Sequence, residues 1–154
     1  MARFILLDSE RLGMASKPRH KPGEADCLKW IHDLRDTGTI VVVPEIIRYE
    51  VRRDLIRVGA TSGLARIDDL AARLAYLPLT ALALDRAAEL WASVRKAGMP
   101  TAPDEALDID TILAAQSLTM TMAGDDDEVV IATSNVRHLI RFPGVDAREW
   151  ETIV

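Results

Sequence analysis

The sequence contains little cysteine and few aromatic residues, and these scarcities exclude several classes of protein. A single cysteine, Cys27, rules out an intramolecular disulfide and a zinc site built from several cysteines, so the cytoplasm is the expected compartment. No apolar run approaches the eighteen or so residues of a membrane-spanning helix, and we expect no membrane partner. The first apolar run is too short for a secretory signal peptide, because Asp8 interrupts it.

Positive charge is also in short supply. Lys and Arg number 19 against 24 Asp and Glu, which gives a formal net charge of −5. A protein that coats nucleic acid would be basic, but a nuclease with a cluster of metal-binding acids is compatible with this balance. With 154 residues, of which 49% are apolar, the chain can build one full core, and we predict a single domain over residues 1–154.

The order of strand and helix patterns predicts an α/β fold. Uninterrupted apolar runs, typical of strands buried on both faces of a parallel sheet, lie at residues 4–7, 39–43 and 129–133. Helical spacing predicts helices over residues 24–36, 45–58, 64–75 and 81–97, the last with Leu84, Trp91 and Val94 inward. Residues 9–24 and 99–107 are predicted loops, the first with a short helical turn. The whole predicts a three-layer α/β/α fold around a mostly parallel central sheet.

The first predicted strand ends at an acid, Asp8. Ligands of open α/β sheets bind just beyond the carboxyl ends of the strands, so a carboxylate at this position is well placed for a functional site. A helix cap or a turn is the alternative role for Asp8, and the strand by itself does not decide between the two.

Two other acids are predicted to point inward. Glu50 borders the apolar face that begins at Ile47, and a carboxylate in such a position needs an arginine, another cation or a metal ion. Asp108 suits the N-cap of a helix that starts there, which places Asp110 on the inner side of its first turn. The alternatives are a salt bridge for Glu50 and a helix-dipole role for Asp110.

Asp8, Glu50 and Asp110 together indicate a metal site. Three carboxylates in one place cannot all stay ionised unless cations neutralise them, and ligands that are all oxygen favour Mg²⁺ or Mn²⁺ over zinc. Such an ion activates water and neutralises charge on a scissile phosphate. The three acids therefore predict metal-assisted hydrolysis of phosphodiester bonds.

Four motifs in order resemble those of a known family. They are Leu6-Leu7-Asp8, Val43-Pro44 followed by Glu50-Val51, the hexapeptide Asp-Thr-Ile-Leu-Ala-Ala from Asp110, and Ala-Thr-Ser-Asn-Val-Arg-His from Ala132 to His138. With these motifs, nearly the whole chain resembles the PIN domains of the toxins in bacterial virulence-associated (VapBC) toxin–antitoxin pairs. The resemblance implies a PIN-like fold and a Mg²⁺- or Mn²⁺-dependent endoribonuclease, usually a homodimer, that a cognate antitoxin protein holds inactive.

The resemblance also assigns roles to residues. It places Asp8, Glu50 and Asp110 in the metal site, and Ser9 and Thr133 as supporting residues. The family's fourth acid corresponds to Asn135, which adds no negative charge, and Asp108 could make up that deficit. RNA phosphates would be held by arginines, for which the candidates are Arg48, Arg52, Arg53, Arg137 and Arg141.

Two other functions stay open at this point. A PIN-like binding module with little or no catalysis is favoured by the missing fourth acid. A phosphoacceptor or phosphatase with its acid at the end of the first strand is a second alternative, but the phosphatase version would need an aspartate where the chain has Glu10.

Overall fold

The computed structural model describes residues 1–18, 21–98 and 104–154, with the backbone alone for residues 104–106. Five strands lie in one sheet: β1 (Arg3–Leu7), β2 (Ile40–Pro44), β3 (Ala75–Leu77), β4 (Glu128–Thr133) and β5 (Ala147–Glu149). Seven α-helices occur in the described ranges: α1 (Ser9–Ala15), α2 (Pro22–Asp36), α3 (Glu45–Arg57), α4 (Ser62–Arg73), α5 (Ala81–Lys96), α6 (Asp104–Leu118) and α7 (Val136–Leu139). None of these helices is long and apolar enough to span a membrane.

The sheet is entirely parallel and has the strand order β3-β2-β1-β4-β5. β1 is the central strand, and its residue Leu6 lies in register with Val42 of β2 and Ile131 of β4. The chain leaves β1 toward β2 on one side and returns to β4 on the other, so the strand order reverses between β1 and β4. This reversal is the position at which such sheets bind ligands. The predicted α/β/α fold with a mostly parallel sheet is confirmed.

The core forms because the predicted strands are buried on both faces. Ile5, Leu6 and Leu7 of β1 are fully buried, and so are Val42 and Val43 of β2. Side chains from the flanking helices complete one continuous apolar cluster. Glu45 of α3 binds the edge strand β3. Its carboxylate accepts hydrogen bonds from the Tyr76 hydroxyl (2.8 Å) and the Leu79 N–H (2.9 Å).

Two predicted loops are partly helical. Residues 9–15 form α1 instead of a loop with one helical turn, because Asp8 caps the segment and Leu12 and Ala15 are buried against the core. Residues 104–107 also belong to a helix, so Asp108 is not an N-cap and that prediction is wrong. The buried position of Leu107 extends the apolar face of α6 by one turn toward the N-terminus. The rest of the second predicted loop, residues 99–103, lies outside the described residues.

The predicted inner face of α5 is wrong in part. Ala83, Ala87, Leu90 and Val94 are buried, whereas Leu84 and Trp91 remain 46% and 39% exposed. Helix α5 packs against α6, and Leu84 and Trp91 line an open groove between these two helices together with Ala87 and Ala88.

Candidate active site

Asp8 both caps a helix and lies at the point where the strand order reverses. Its Oδ1 accepts a hydrogen bond from the backbone N–H of Arg11 (2.9 Å), and its own N–H donates to the carbonyl of Ala132 in β4 (3.3 Å). Burial raises the pKa of the Asp8 carboxyl, and the charge of Glu10 adds to this rise. The N–H and the charge of Arg11 and the hydroxyl of Thr133 oppose it. The two roles considered for Asp8 are therefore compatible.

A fully buried arginine lies next to this carboxylate. The Arg11 side chain is 1% exposed, with Nη2 2.9 Å from Oε1 of Glu10 and Nε 3.9 Å from Oδ1 of Asp8. Nη1 donates to the hydroxyl of Ser134 (3.0 Å), and the guanidinium stacks on the ring of Trp150 at 4.9 Å. Arg11 lies in the segment 9–24 that the sequence predicts as a loop, and it is not among the predicted site residues. The only sequence signal for it is an arginine three residues after Asp8.

Glu50 is half-buried on α3. Burial raises the pKa of its carboxyl, and the charges of Asp110 and Asp54 add to the rise. The Ser9 hydroxyl, which donates a hydrogen bond to it, and the charge of Arg53 lower that pKa. Glu50 is therefore a desolvated acid that a hydroxyl of α1 holds in place.

Asp110 is also half-buried, in the second turn of α6. Burial raises the pKa of its carboxyl, and the charge of Asp8 raises it further, whereas His138 and the Arg141 guanidinium lower it. Nδ1 of His138 lies 3.7 Å from Oδ2 of Asp110. Residues that follow β4 thus supply the positive charge beside this acid.

The three predicted acids come close enough to affect one another. Asp110 experiences the charge of Asp8, and Glu50 experiences the charge of Asp110. Within the ranges that the structure describes, however, no three His, Cys, Asp or Glu side chains lie close enough together to hold a metal ion. Side-chain movement is needed before these carboxylates could share one ion.

The remaining predicted ligands differ in position. Asn135 lines a cleft of about 440 Å³ together with Ser134, Arg137 and His138, and its N–H donates to the hydroxyl of Thr133 (2.9 Å). Thr133 itself is buried and links Asp8 to this turn. Asp108 is exposed and lines a different groove, between α5 and α6, so the structure does not bring it to the three acids.

The predicted RNA-binding arginines are also distributed unevenly. Arg48 and Arg52 pair with Asp68 of α4, at 2.8 and 3.6 Å. Arg53 stacks on the ring of Tyr49 at 5.4 Å and lies near Glu50. Arg137 lines the cleft beside Asn135. Of these arginines, Arg53 acts on Glu50, and Arg137 lines the same cleft as His138.

The chain is therefore an α/β domain with an all-parallel sheet. Three desolvated acids lie near the position where the strand order reverses. No model of a known protein family matches the sequence, and no curated protein matches it.

Within that class, the chain has the fold of solved VapBC structures. It is 15% identical to VapBC2 from Rickettsia felis, solved with a DNA fragment from the promoter, with a TM-score of 0.67 over 96% of this chain and 98% of that chain. For DNA-bound VapBC from Salmonella typhimurium the identity is 20% and the TM-score 0.67, over 97% and 99%. For VapBC-1 from nontypeable Haemophilus influenzae the identity is 16% and the TM-score 0.64, over 96% of this chain and 98% of that chain. Since the identities are low, these similarities establish the fold, and the PIN-like fold implied by the motifs is confirmed.

Proposed function

We propose that this protein is a metal-dependent endoribonuclease and the toxin of a toxin–antitoxin pair. The observation that supports the proposal is that Asp8, at the end of the central strand, affects the pKa of Asp110, and Asp110 that of Glu50, while burial raises the carboxyl pKa of all three. A site that keeps three desolvated acids together favours a divalent cation as its ligand. The fold shared with VapBC structures supports the same conclusion.

The donor set fits Mg²⁺ or Mn²⁺, because carboxylate oxygens are the ligands that these ions prefer. Asp8, Glu50 and Asp110 would hold the ion, which when bound supplies an activated water and neutralises charge on the phosphodiester. The chain's own residues orient the ligands. Ser9 holds Glu50, Thr133 holds Asp8, and His138 lies beside Asp110. Asn135 is placed to bind a water or an RNA hydroxyl through its amide.

The partners follow from the same proposal. The solved structures of similar fold are VapBC complexes, and we expect this chain to pair with a small antitoxin protein in the cytoplasm. We also expect a homodimer. The exposed apolar side chains of Leu84 and Trp91 on α5 are one surface on which a second copy could pack.

The test is cleavage of single-stranded RNA in the presence of Mg²⁺ or Mn²⁺. Asp8→Asn and Asp110→Asn should lower the rate on the order of 100-fold or more, since each removes a charged ligand from the ion. Asn is as good an N-cap as Asp, so Asp8→Asn preserves the start of α1. The matched control is Asp126→Asn in the exposed turn before β4, which should keep wild-type activity. Cleavage that survives EDTA, or equal rates for all four proteins, would contradict the proposal.

A second candidate is a PIN-like binding module with weak or no catalysis. Two observations favour it: the acids do not form a ready metal cluster in the described part of the chain, and Arg11 already partly neutralises Asp8. Calorimetric titration with Mn²⁺ discriminates the two functions. A nuclease should bind the ion in a manner that depends on Asp110, whereas a binding module should show no such dependence.

A further inference from the structure

A basic pocket of about 240 Å³ lies between α1, α2 and α4, outside the candidate active site. Four of the side chains that line it are cationic: Lys17, Arg35, Arg66 and Arg73. In a chain with a net charge of −5, such a concentration of positive charge on one surface is unusual and calls for an anionic ligand.

Within the residues that the structure describes, two of these cations contact backbone carbonyls and have no acid as a partner. Arg66 donates through Nε to the carbonyl of Ser16 (2.7 Å), and Arg35 donates through Nη2 to the carbonyl of Arg73 (3.3 Å). Carbonyl oxygens hold the two guanidinium groups in place without cancelling their charge.

The ionic partners of the four cations in the described residues are two acids. Arg73 pairs with Asp69 at 3.0 Å, and Lys17 lies 3.9 Å from Glu24. Four cations against two acids leave a surplus of two positive charges, close to the charge needed to hold one or two phosphates.

The pocket adjoins a second cleft that leads to the candidate active site. This cleft, of about 550 Å³, begins at Ser9 and Glu10 and shares Ser16, Lys17 and Arg66 with the basic pocket as a common wall. The active-site end of this cleft, at Ser9, and the wall that it shares with the basic pocket are separated by the length of α1. At about 1.5 Å per residue this length is roughly 10 Å. At about 3.4 Å or more of rise per nucleotide, this distance corresponds to at most about three nucleotides.

We propose that the basic pocket binds a backbone phosphate of the RNA strand, a few nucleotides from the bond that the candidate active site cleaves. This inference rests on the proposed function and specifies how its substrate is held. Arginine forks match phosphate oxygens in geometry and charge. A local cationic site also offsets the repulsion between RNA and the acidic chain.

The test compares two double variants of equal charge. Lys17→Gln with Arg35→Gln removes two exposed cations from the pocket. Lys29→Gln with Arg86→Gln removes two cations elsewhere, the exposed Lys29 and the partly buried Arg86, which pair with Asp33 and Glu89. Binding of a labelled uridylate dodecamer is measured by fluorescence anisotropy in Mg²⁺, with every protein also carrying Asp8→Asn so that nothing is cleaved. Thermal melts check that both double variants are folded.

We expect the pocket variant to weaken dodecamer binding about tenfold. Its salt dependence should become shallower, by about 0.7 in log–log slope for each phosphate that the pocket no longer holds. Binding of uridylyl-uridine, whose single phosphate would occupy the active site and leave none for the pocket, should not change. The control variant should bind both oligonucleotides as the parent does.

Each contrary result has a distinct meaning. If the wild type does not cleave RNA and the Asp8→Asn parent does not bind it, the proposed function fails and this inference fails with it. If the wild type cleaves RNA and the Asp8→Asn parent binds it, but the pocket variant binds it equally well, only this inference is overturned. Equal losses in the pocket and control variants, or weakened pairing with an antitoxin while RNA binding is kept, would also overturn it.

Discussion

Replacing Arg11 by methionine tests how the buried charges of the candidate active site stabilise one another. Methionine keeps an unbranched side chain of similar length but removes the guanidinium that contacts Asp8, Glu10 and Ser134. Asp8 would keep its hydrogen bonds from the backbone N–H of residue 11 and from the Thr133 hydroxyl, but it would lose its nearest cation.

The size of the effect follows from which contacts are buried. Removal of one member of a buried charge pair typically costs about 3–5 kcal/mol. The Arg11–Asp8 separation of 3.9 Å is long and Asp8 keeps two other donors, which lowers the cost. Glu10 is 59% exposed in its side chain, so its pair with Arg11 adds at most about 1 kcal/mol. We therefore expect a loss of about 2–4 kcal/mol at neutral pH, or roughly 5–15 °C in Tm.

The loss should depend on pH in a defined direction. The pKa of Asp8 is already raised above 3.8 in the folded protein, and removal of the Arg11 charge raises it further. A carboxyl whose pKa is higher in the folded than in the unfolded state destabilises the folded protein at pH values above the folded-state pKa. This destabilisation disappears as the pH falls to the pKa of the unfolded state. The gap in stability between wild type and Arg11→Met should therefore narrow from neutral pH toward pH 3.8.

Urea denaturation followed by circular dichroism measures both effects. The double variant Asp8→Asn with Arg11→Met should recover part of the lost stability at neutral pH, since no unpaired carboxylate remains buried. Arg86→Met, at a partly exposed arginine of α5, should change stability by less than about 0.5 kcal/mol. A double variant no more stable than Arg11→Met, or a gap that widens in acid, would refute the electrostatic reasoning.

Three further predictions concern the metal, a buried hydrogen bond and two glycines. Mn²⁺ at about 100 times its Kd should stabilise the wild type by about 2.7 kcal/mol in thermal melts but should have little effect on Asp110→Asn. Glu45→Gln should lower the pKa of Tyr76, which burial and Glu45 raise to about 12, in a spectrophotometric titration, and should cost about 1 kcal/mol. Gly144→Ala should destabilise the protein by about 1–2 kcal/mol, because φ is +83° there and a Cβ would lie 3.3 Å from Leu118. Gly13→Ala in α1, where a Cβ meets nothing within 4 Å, should stabilise the protein by up to about 1 kcal/mol in the same melts.

The strands and the acids were predictable from the sequence because each produces a local signal. Uninterrupted apolar runs identify strands that are buried on both faces, and a carboxylate at the end of such a run is conspicuous. The inward positions of Glu50 and Asp110 follow from helical spacing, which does not require knowledge of the partner elements.

The errors occurred where a contact between distant elements decides the outcome. The buried state of Arg11 depends on Ser134 and Trp150, more than 120 residues away, so local composition indicated only a basic loop. The face that α5 buries depends on its packing against α6, and periodicity alone could not choose between Leu84 and Ala83. Two prolines within residues 99–107 favour a loop up to Asp108, but both precede the helix that begins at Asp104 and do not interrupt it.

The three acids of the candidate active site share a property that bears on which ion the site could select. Each has a basic side chain beside it: Arg11 is three residues after Asp8, Arg53 is three residues after Glu50, and the imidazole of His138 lies 3.7 Å from Asp110. Helix geometry fixes the two arginines beside their acids, which lets the chain fold with these acids close together. A monovalent ion offers the carboxylates no more charge than the guanidinium groups do, so it has little advantage in competing for them. A divalent ion offers twice the charge in a smaller radius, so under the proposed function we expect the carboxylates to prefer Mg²⁺ or Mn²⁺.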